Sequence, residues 1–407
     1  MKRALLLVLN PFTHDPRVVR QAETLTLDGW NVSVFALHER GLPTEEESPS
    51  FRLRRFNLRT RSWPKHKVIQ LIKYMECLIR MTWAGINFHP TVVHANDLDC
   101  LPIGFAVARL SRAQLVYDAH ELWSDPIAAR NAPRWFSRVS AWLETVLARR
   151  ADTVMTVCDS IAQHMARTMA IPVPTVVRNV PWRTGSTKGC LSGRFRELLN
   201  LPTEVPIILQ LGMIGAGRGI ETLLTAMQQV VPPAVAIVVG GEDVTYTRIG
   251  ELTYLQRLRK LAQTLGVGNR VYFLPPIDPE QIPAYAADAS IGVALIEGVC
   301  LSYQYALPNK LFEYVQAGLP VVASNLPEMA SLIEQYGIGE TFPAGNSEML
   351  ARILNDLLAS PEKLAHYRNQ AFAAGKELNW EKEQLRLLQV YGRFETSNRC
   401  LGAGKTD

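Results

Sequence analysis

Short runs of β-branched and other apolar residues alternate along the chain with longer segments in which apolar residues recur at helical spacing. This alternation is typical of parallel strands joined by crossover helices, and it predicts an α/β fold. The pattern occurs twice in the 407 residues. The predicted strands of the first half are 4–9, 31–37, 91–95, 114–118, 153–157 and 175–178, and those of the second half are 206–211, 234–239, 271–274, 290–295 and 320–324.

The repeated pattern predicts two Rossmann-like domains with parallel sheets. A polar, glycine-containing segment at 181–193 has the composition of an interdomain linker. We therefore expect one domain over 1–182, a second over 183–378, and a C-terminal segment, 379–407, that begins as an amphipathic helix. Two such sheets facing one another would form a cleft at the carboxyl ends of their strands, where doubly wound folds bind ligands.

Composition and charge exclude several classes of protein. The chain has no apolar run long enough to cross a bilayer, and its start turns polar after one strand's length without a small-residue cleavage site. The six cysteines are scattered, without zinc spacing, so reduced thiols and a cytoplasmic protein are expected. Residues 1–200 carry 27 Lys and Arg against 17 Asp and Glu, so an anionic partner should meet the first half.

The segment LPNKLFEYVQAGLPVVAS at 307–324 predicts a helix, ended by Gly318, and then a strand. A helix that begins at Asn309 directs free backbone N–H groups and its positive dipole end toward a site where a diphosphate could bind. Glu313, one turn further, could accept hydrogen bonds from two ribose hydroxyls. The spacing alone fits an ordinary amphipathic helix with a solvated glutamate equally well.

A strand, a glycine-rich turn and a helix are predicted at 209–227. Gly215, Gly217 and Gly219 allow the backbone to approach a phosphate closely, and Arg218 offers a planar, fixed positive charge. A glycine-rich turn alone is weak evidence, because such turns occur in many connections between a strand and a helix.

Polar residues also follow three predicted strands of the first half. Because the carboxyl ends of parallel strands meet at one edge of a sheet, we expect these groups to lie near a common ligand site. The imidazole of His120 can donate a hydrogen bond or titrate near neutral pH, although a lone loop histidine is often incidental. The set comprises His14, Asp15, Arg17, His94, Asn96, Asp97, His120 and Glu121.

These motifs, in this order, resemble those of the GT-B glycosyltransferases of the retaining family 4. The matching segments are LPNKLFEY at 307–314, the glycine-rich turn, YDAHE at 117–121, VHAND at 93–97 and DPRVVR at 15–20. The resemblance spans residues 3 to about 390. It implies a GT-B fold of two facing Rossmann-like domains with an interdomain cleft, a nucleotide diphosphate sugar as donor, and no required metal or other cofactor.

The resemblance also assigns roles to residues. It implies that Arg218 and Lys310 neutralise the leaving diphosphate and that His120 approaches the donor sugar. The other polar residues that follow the strands of the first half would contact the acceptor or orient the sugar. Segment 379–407 would be a helix that returns to the first domain, followed by a flexible tail. The expected reaction transfers a hexose-type sugar, with retention, from a UDP- or GDP-linked donor to a hydroxyl of a glycan, a lipid-linked glycan or a small molecule. The residues implied in donor binding are Gly215, Gly217, Gly219, Leu307, Pro308, Asn309, Leu311 and Glu313.

The chain departs from the family pattern at two positions. Tyr305 stands where the family has the first of two glutamates, eight residues before Glu313, and Met213 stands where a basic residue is common. A catalytically degenerate nucleotide-binding or scaffold subunit is therefore a second hypothesis. A GT-B sugar-nucleotide epimerase is a third, against which the LPNKLFE and G-x-G-R-G motifs argue.

Neither a metal ion nor nucleic acid is expected as a ligand. His94, Asp97 and Asp99 offer metal-ligating atoms, but this D-x-D lacks the context of metal-dependent transferases, so no metal is expected. Nucleic acid is not expected either, because the basic stretch at 52–67 has no interleaved aromatic residue beyond Trp63.

The basic stretch precedes a segment of helical spacing at 68–83. One hypothesis is that this helix seats the protein on anionic lipid at the inner face of a membrane. The alternative, which we favour, is a helix packed on the first sheet beside a solvated basic loop. The apolar residues that share one face of this helix are Val68, Leu71, Ile72, Met75, Leu78 and Ile79.

Overall fold

The structure is a computed structural model that describes residues 2–13, 15–64, 66–122, 134–183, 194–242 and 252–402. His14 and most of the predicted linker, 184–193, lie outside the described residues. The chain divides into two compact units. The first unit comprises Met1–Asn179 and Glu383–Asp407, and the second unit comprises Val180–Lys382.

The first unit is built on an eight-stranded sheet. Its strands are β1 (Arg3–Leu7), β2 (Asn31–Leu37), β3 (Glu45–Glu47), β4 (Arg52–Phe56), β5 (Val92–Asn96), β6 (Gln114–Ala119), β7 (Thr153–Thr156) and β8 (Thr175–Val176). The order is β3-β4-β2-β1-β5-β6-β7-β8, with the β3–β4 pair antiparallel and the other pairs parallel. Continuous apolar runs such as that of β1 form central strands because both faces of a parallel sheet are covered.

Five helices connect these strands. They are α1 (Pro16–Leu27), α2 (Lys67–Phe88), α3 (Asp97–Ser111), α4 (Arg134–Ala148) and α5 (Asp159–Met169). The connections from β4 through β5 and β6 to β7 all move in one direction across the sheet, so right-handed crossovers place α2, α3 and α4 on one face and α1 on the other. Helix α3 packs against both α2 and α4. In the described part of the chain, no helix has both the length and the apolarity to cross a membrane.

The second unit has a six-stranded parallel sheet in the order β11-β10-β9-β12-β13-β14. The strands are β9 (Ile207–Leu211), β10 (Val235–Val239), β11 (Val271–Leu274), β12 (Ile291–Ala294), β13 (Val321–Ser324) and β14 (Gly339–Phe342). The helices are α6 (Arg194–Leu199), α7 (Ile220–Ala226), α8 (Tyr254–Thr264), α9 (Ile282–Ala286), α10 (Leu301–Gln304), α11 (Asn309–Gln316), α12 (Pro327–Tyr336), α13 (Ser347–Leu358) and α14 (Pro361–Ala374). A last helix, α15 (Trp380–Gly402), belongs to the first unit from Glu383 onward.

Each predicted strand coincides with an observed strand, but β3, β4 and β14 were not predicted. Strand β4 corrects the expectation that the basic stretch begins as a solvated loop. Its Leu53 and Phe56 are buried, while Arg52 and Arg54 form ion pairs with glutamates of β3. Because the strand lies near the sheet edge, Arg52 and Arg54 remain exposed, and the apolar run that marks a buried strand is missing.

Helix α11 is fixed to the second sheet by Tyr314. The hydroxyl of this buried tyrosine donates toward the carbonyls of Leu209 and Val293 and accepts the N–H of Leu211 at 2.9 Å. A Cβ on Gly292 of β12 would lie 2.7 Å from the Tyr314 ring. The absence of a side chain at Gly292 therefore lets the ring reach the strands.

We expect Gly292→Ala to destabilise the protein by about 1–3 kcal/mol, because the added methyl overpacks against a buried ring that cannot swing away. Urea unfolding followed by circular dichroism measures the change. Gly268→Ala is the matched control, since a Cβ there meets its neighbours only at ordinary contact distance, 3.5 Å. Equal midpoints for the two variants would contradict the tight fit.

Candidate functional site

A buried carboxylate, Asp118, lies near the end of β6 in the first unit. Arg17 of α1 donates to it from Nε at 2.9 Å and from a terminal nitrogen at 2.7 Å, and its other terminal nitrogen donates to the carbonyl of Val177. Gln21, one turn along α1, donates to the same carboxylate at 2.7 Å. Burial alone would raise the pKa of Asp118, but Arg17 and then His120 hold it well below its usual range. Asp118 is therefore a buried anion.

His94 of β5 is fully buried between Asp118 and α15. Its Nδ1 lies 2.9 Å from the hydroxyl of Tyr391, and its Nε2 lies 3.5 Å from Oδ2 of Asp118. The carboxylate of Asp118 favours the tautomer with the proton on Nε2, so Nδ1 accepts a hydrogen bond from the Tyr391 hydroxyl. Burial lowers the pKa of His94 against the opposing effect of Asp118. His94 is thus a neutral imidazole that carries its proton on Nε2.

His120, directly after β6, has a carboxylate at each ring nitrogen. Nδ1 lies 3.2 Å from Oδ2 of Asp97, and Nε2 lies 3.3 Å from Oδ2 of Asp118. A neutral imidazole has one N–H, so only the imidazolium faces both carboxylates favourably. Burial would lower the pKa of His120, but Asp97 and Asp118 raise it to about 10. An imidazolium between two carboxylates does not titrate near neutral pH, so the structure argues against that one of the two roles expected of His120.

Asp97 is held in a strained backbone conformation as the first residue of α3. Its φ is 65°, in the left-handed region that non-glycine residues seldom adopt. The carboxylate also accepts the backbone N–H of His120 at 2.9 Å. The neighbouring Asn96 donates to the carbonyl of Leu7, so its side chain ties β5 to β1. Over the described residues, no group of three or more His, Cys, Asp and Glu side chains is arranged to hold a metal ion.

The other predicted residues of the first unit have different surroundings. Asp15 caps α1 by accepting the N–H of Val18, and it also accepts from the amide of Asn10. Arg17, predicted among the polar residues that follow a strand, lies inside α1, and its buried guanidinium is engaged by Asp118 and Val177. This geometry gives Arg17 a positioning role within the cluster. Glu121 is exposed after β6.

The sequence reasoning missed Asp118, Gln21 and Tyr391. A charged residue inside the otherwise apolar run QLVYD was a usable signal for Asp118, because buried charges occur almost only with partners. Gln21 lies four residues after Arg17, on the same helix face, which was a second signal. No local pattern connects Tyr391 with His94, 297 residues earlier.

The second unit holds a different polar group, centred on Lys310 near the start of α11. Lys310 is only 6% exposed, and a Cβ on Gly212, just after β9, would lie 3.7 Å from its Nζ. Burial and the charge of Arg218 lower the pKa of Lys310 to about 7, against the opposing effect of Glu313. Lys310 therefore lies buried in the N-terminal turn of a helix, within electrostatic reach of Arg218.

Arg218 is positioned by the glycine-rich turn. Gly219 has a φ of 68°, and a Cβ there would lie 1.9 Å from the carbonyl oxygen of Leu295, so only glycine fits. The guanidinium of Arg218 lies over the ring of Tyr303, 4.9 Å from its centroid. The backbone carbonyl of Gly217 accepts the N–H of Glu297 at 3.0 Å, which fixes the turn to the segment after β12.

The remaining residues predicted for donor binding differ in how far they are exposed. Asn309 is exposed at the first position of α11, Pro308 caps the helix in an extended conformation, and Glu313 is half-buried. Leu307 and Leu311 are buried, Leu311 completely, and Gly215 is buried in the turn. The side chain of Leu311 therefore packs in the core rather than facing a ligand.

We expect the His120 ring to remain an imidazolium up to about pH 9, because the two carboxylates stabilise its charge. Since this pKa lies above that of the unfolded chain, the stabilisation is complete below about pH 6.5 and is lost as pH rises through about 10. Nitrogen chemical shifts of labelled histidine measure the titration.

Asp97→Asn should lower the pKa of His120 by about 1–3. Asp159→Asn, an exposed carboxylate of the same unit, is the control and should leave it unchanged. A wild-type ring that titrates near pH 6.5 would show that the two carboxylates do not hold it charged.

Family profiles of known proteins match the two halves of the chain separately. The profile of the "Glycosyl transferase 4-like domain" matches residues 14–181, and that of "Glycosyl transferases group 1" matches residues 193–374. The D-inositol 3-phosphate glycosyltransferase of Xylanimonas cellulosilytica is 25% identical over 205 residues, which cover 49% of this chain and 45% of that protein. The matched region spans about half the length of the first curated relatives.

Solved structures share the whole architecture. The sucrose-phosphate synthase of Thermosynechococcus elongatus has a TM-score of 0.80 at 21% identity, covering 98% of this chain and 100% of its own. HepE of Anabaena, solved in complex with UDP-glucose, has a TM-score of 0.73 at 18% identity, covering 97% and 100%. With two parallel-sheet α/β units and matches to both family profiles, the chain belongs to the group 1 glycosyltransferases and has the GT-B fold, as its sequence motifs predicted.

Proposed function

We propose that the protein is a glycosyltransferase that moves a hexose-type sugar from a nucleotide diphosphate sugar to a hydroxyl of an acceptor. The observation that carries the proposal is the buried side chain of Lys310 in the first turn of α11, packed against Gly212 after β9, with Arg218 on the glycine-rich turn that follows the same strand. Burying the Lys310 ammonium costs free energy. A bound diphosphate would offset that cost, because its oxygens supply the missing negative charge.

The same pair suits the chemistry of transfer. Negative charge develops on the leaving diphosphate, and fixed donors aimed at it are usually the largest catalytic contribution. In the proposed reaction Lys310 and Arg218 supply these donors, and Glu313 binds the ribose hydroxyls. His120 is the proposed contact of the donor sugar, and as an imidazolium held between two carboxylates it does not act there as a general base.

A UDP-linked donor is the favoured form of this proposal, with GDP as the alternative. HepE, which shares the fold, was solved with UDP-glucose. Retention of configuration and independence of divalent metal are parts of the proposal that rest on the family resemblance. The acceptor hydroxyl belongs to an unidentified glycan, lipid-linked glycan or small molecule, and contact of residues 52–83 with an anionic membrane is part of the same proposal.

The two rival hypotheses are less favoured. The degenerate scaffold rests on Tyr305, which ends the short helix α10. That substitution leaves Lys310, Arg218 and Glu313 in place, so the charges that would hold a diphosphate are retained. The epimerase hypothesis has no observation in its favour among the site residues of either unit.

We expect UDP or UDP-glucose to stabilise the protein in the presence of EDTA, by about 2.7 kcal/mol at one hundred times the dissociation constant. Thermal-shift measurements against UDP, GDP, ADP and dTDP identify the base. Glu313→Ala should greatly reduce the shift, whereas Glu334→Ala, an exposed glutamate of α12, should not. If no nucleotide shifts the thermal transition, with or without Mg²⁺, the scaffold hypothesis becomes the better one.

Proton NMR of the product's anomeric signal tests whether the configuration is retained.

Lys310→Met should make the empty protein more stable at pH 7, by about 1–3 kcal/mol, while abolishing the shift caused by UDP. The pKa of Lys310 falls from 10.5 to about 7 on folding, so the unfolded chain binds more protons between these values. The gain should therefore be largest at or below pH 7 and vanish toward pH 10.5.

Urea unfolding at several pH values measures the change, and Lys260→Met, at an exposed position of α8, is the control. A variant that loses stability and still responds to UDP would argue against a cationic diphosphate site.

A further inference from the structure

Helix α2 carries a stripe of solvent-exposed apolar side chains along its length. Leu71 is 61% exposed and Trp83 is 68% exposed, although both are large apolar groups. The positions recur at helical spacing and so form one face. The members of the stripe are Val68, Leu71, Ile72, Met75, Ile79 and Trp83.

The opposite face of α2 is the one that packs on the unit. Cys77, Met81, Ala84 and Gly85 are buried there, and a Cβ on Gly85 would lie within 3.1 Å of side-chain atoms of Val107 and Leu5. The expectation that α2 packs on the first sheet is therefore met, but by small residues. The apolar stripe takes no part in packing α2 against the core of the first unit.

A basic segment is fixed along one flank of the same helix. Glu76 accepts the backbone N–H groups of Arg59 and Thr60, and Lys73 donates to the carbonyls of Arg61 and Trp63. These bonds place exposed Arg59 and Trp63 beside the stripe. The carboxylate of Glu76 is also paired with Arg80 at 3.1 Å, so it offers little net negative charge to a partner.

Helix α4 repeats the arrangement on the same face of the sheet. Trp135, Val139 and Trp142 are exposed at positions i, i+4 and i+7, with Trp142 at 64%. Glu144 marks the inner side of the helix, where it is buried and accepts the hydroxyl proton of Tyr117 in β6. Both helices pack on α3, which lies between them.

The charge on these helices distinguishes between partners. Helices α2 and α4 contain five Lys and Arg residues and only two acids, Glu76 and Glu144. Both acids face inward or are engaged, as described above, whereas Arg138, Arg149 and Arg150 at α4 are exposed. Exposed tryptophans flanked by cations match the interface of a bilayer, where an indole lies at headgroup level and Lys or Arg meets anionic lipid.

We propose that the outer face of α2 and α4, with residues 57–63, is a single docking surface for an anionic lipid bilayer. This extends the predicted contact of residues 52–83 to a second helix and rests on the proposed function, of which that membrane contact is a part. Apolar side chains enter the boundary between headgroups and acyl chains, and the flanking cations meet lipid phosphates. The protein lies on the bilayer and does not span it.

Co-sedimentation of the full chain with vesicles tests the surface. One set contains phosphatidylcholine alone and the other equal parts of phosphatidylcholine and phosphatidylglycerol. We expect binding to the anionic vesicles that weakens at high salt, because screening reduces attraction to the headgroups. Leu71→Glu should lower the partition coefficient about tenfold or more. The matched control is Leu27→Glu, since Leu27 is 82% exposed but lies on α1, on the opposite face of the sheet.

A double variant, Trp135→Ser with Trp142→Ser, tests the role of α4 and should weaken binding comparably. Unfolding of a variant is detected by circular dichroism, and the UDP thermal shift is measured on every variant. A normal nucleotide shift without vesicle binding overturns the docking surface and leaves the transferase proposal standing. Equal loss for Leu71→Glu and Leu27→Glu also overturns it. Self-association that Leu71→Glu abolishes, without vesicle binding, assigns the face to a second copy of the chain instead.

Discussion

The polar interior of the first unit depends on the ion pair between Arg17 and Asp118. The guanidinium joins α1 to β6 and to the chain after β8, because it binds both oxygens of the carboxylate and the carbonyl of Val177. Removing either partner would leave a buried charge without its counter-charge, which typically costs about 3–5 kcal/mol. Because Arg17 stabilises its negative charge, Asp118 can also face His94 and His120. One carboxylate therefore positions two histidines that differ in protonation state.

The two units treat buried charge in opposite ways. In the first unit two carboxylates, Asp97 and Asp118, balance a guanidinium and an imidazolium, and the cluster is electrically complete without a ligand. In the second unit Lys310 and Arg218 repel each other, and Glu313 offsets this only in part. Such an imbalance is expected where a protein sacrifices stability to organise a site in advance of its ligand. The first cluster therefore balances its own charges, whereas the second suits an anionic ligand.

The sequence revealed those features that leave a local pattern. Central strands such as β1 and β9 are continuous apolar runs because helices cover both faces of each sheet, and LPNKLFE keeps its chemistry within one helical turn. Strand β4 escaped prediction because its arginines are neutralised by β3, a partner that itself reads as a polar loop. The protonation state of His120 was also missed, since it depends on Asp97 and Asp118 arriving from different strands. Their convergence is a property of the fold.

The contact between Tyr391 and His94 has a consequence for the order of events during synthesis. The second unit is one continuous stretch of chain, whereas the first needs residues from Glu383 onward, which follow it. The second unit can therefore fold while the first unit still lacks Tyr391. The hydroxyl of Tyr391 pairs with His94, and its ring packs with its centroid 5.2 Å from that of Trp30. During synthesis the first unit therefore exposes the apolar surface that α15 covers. This surface is buried only after α15 has been translated.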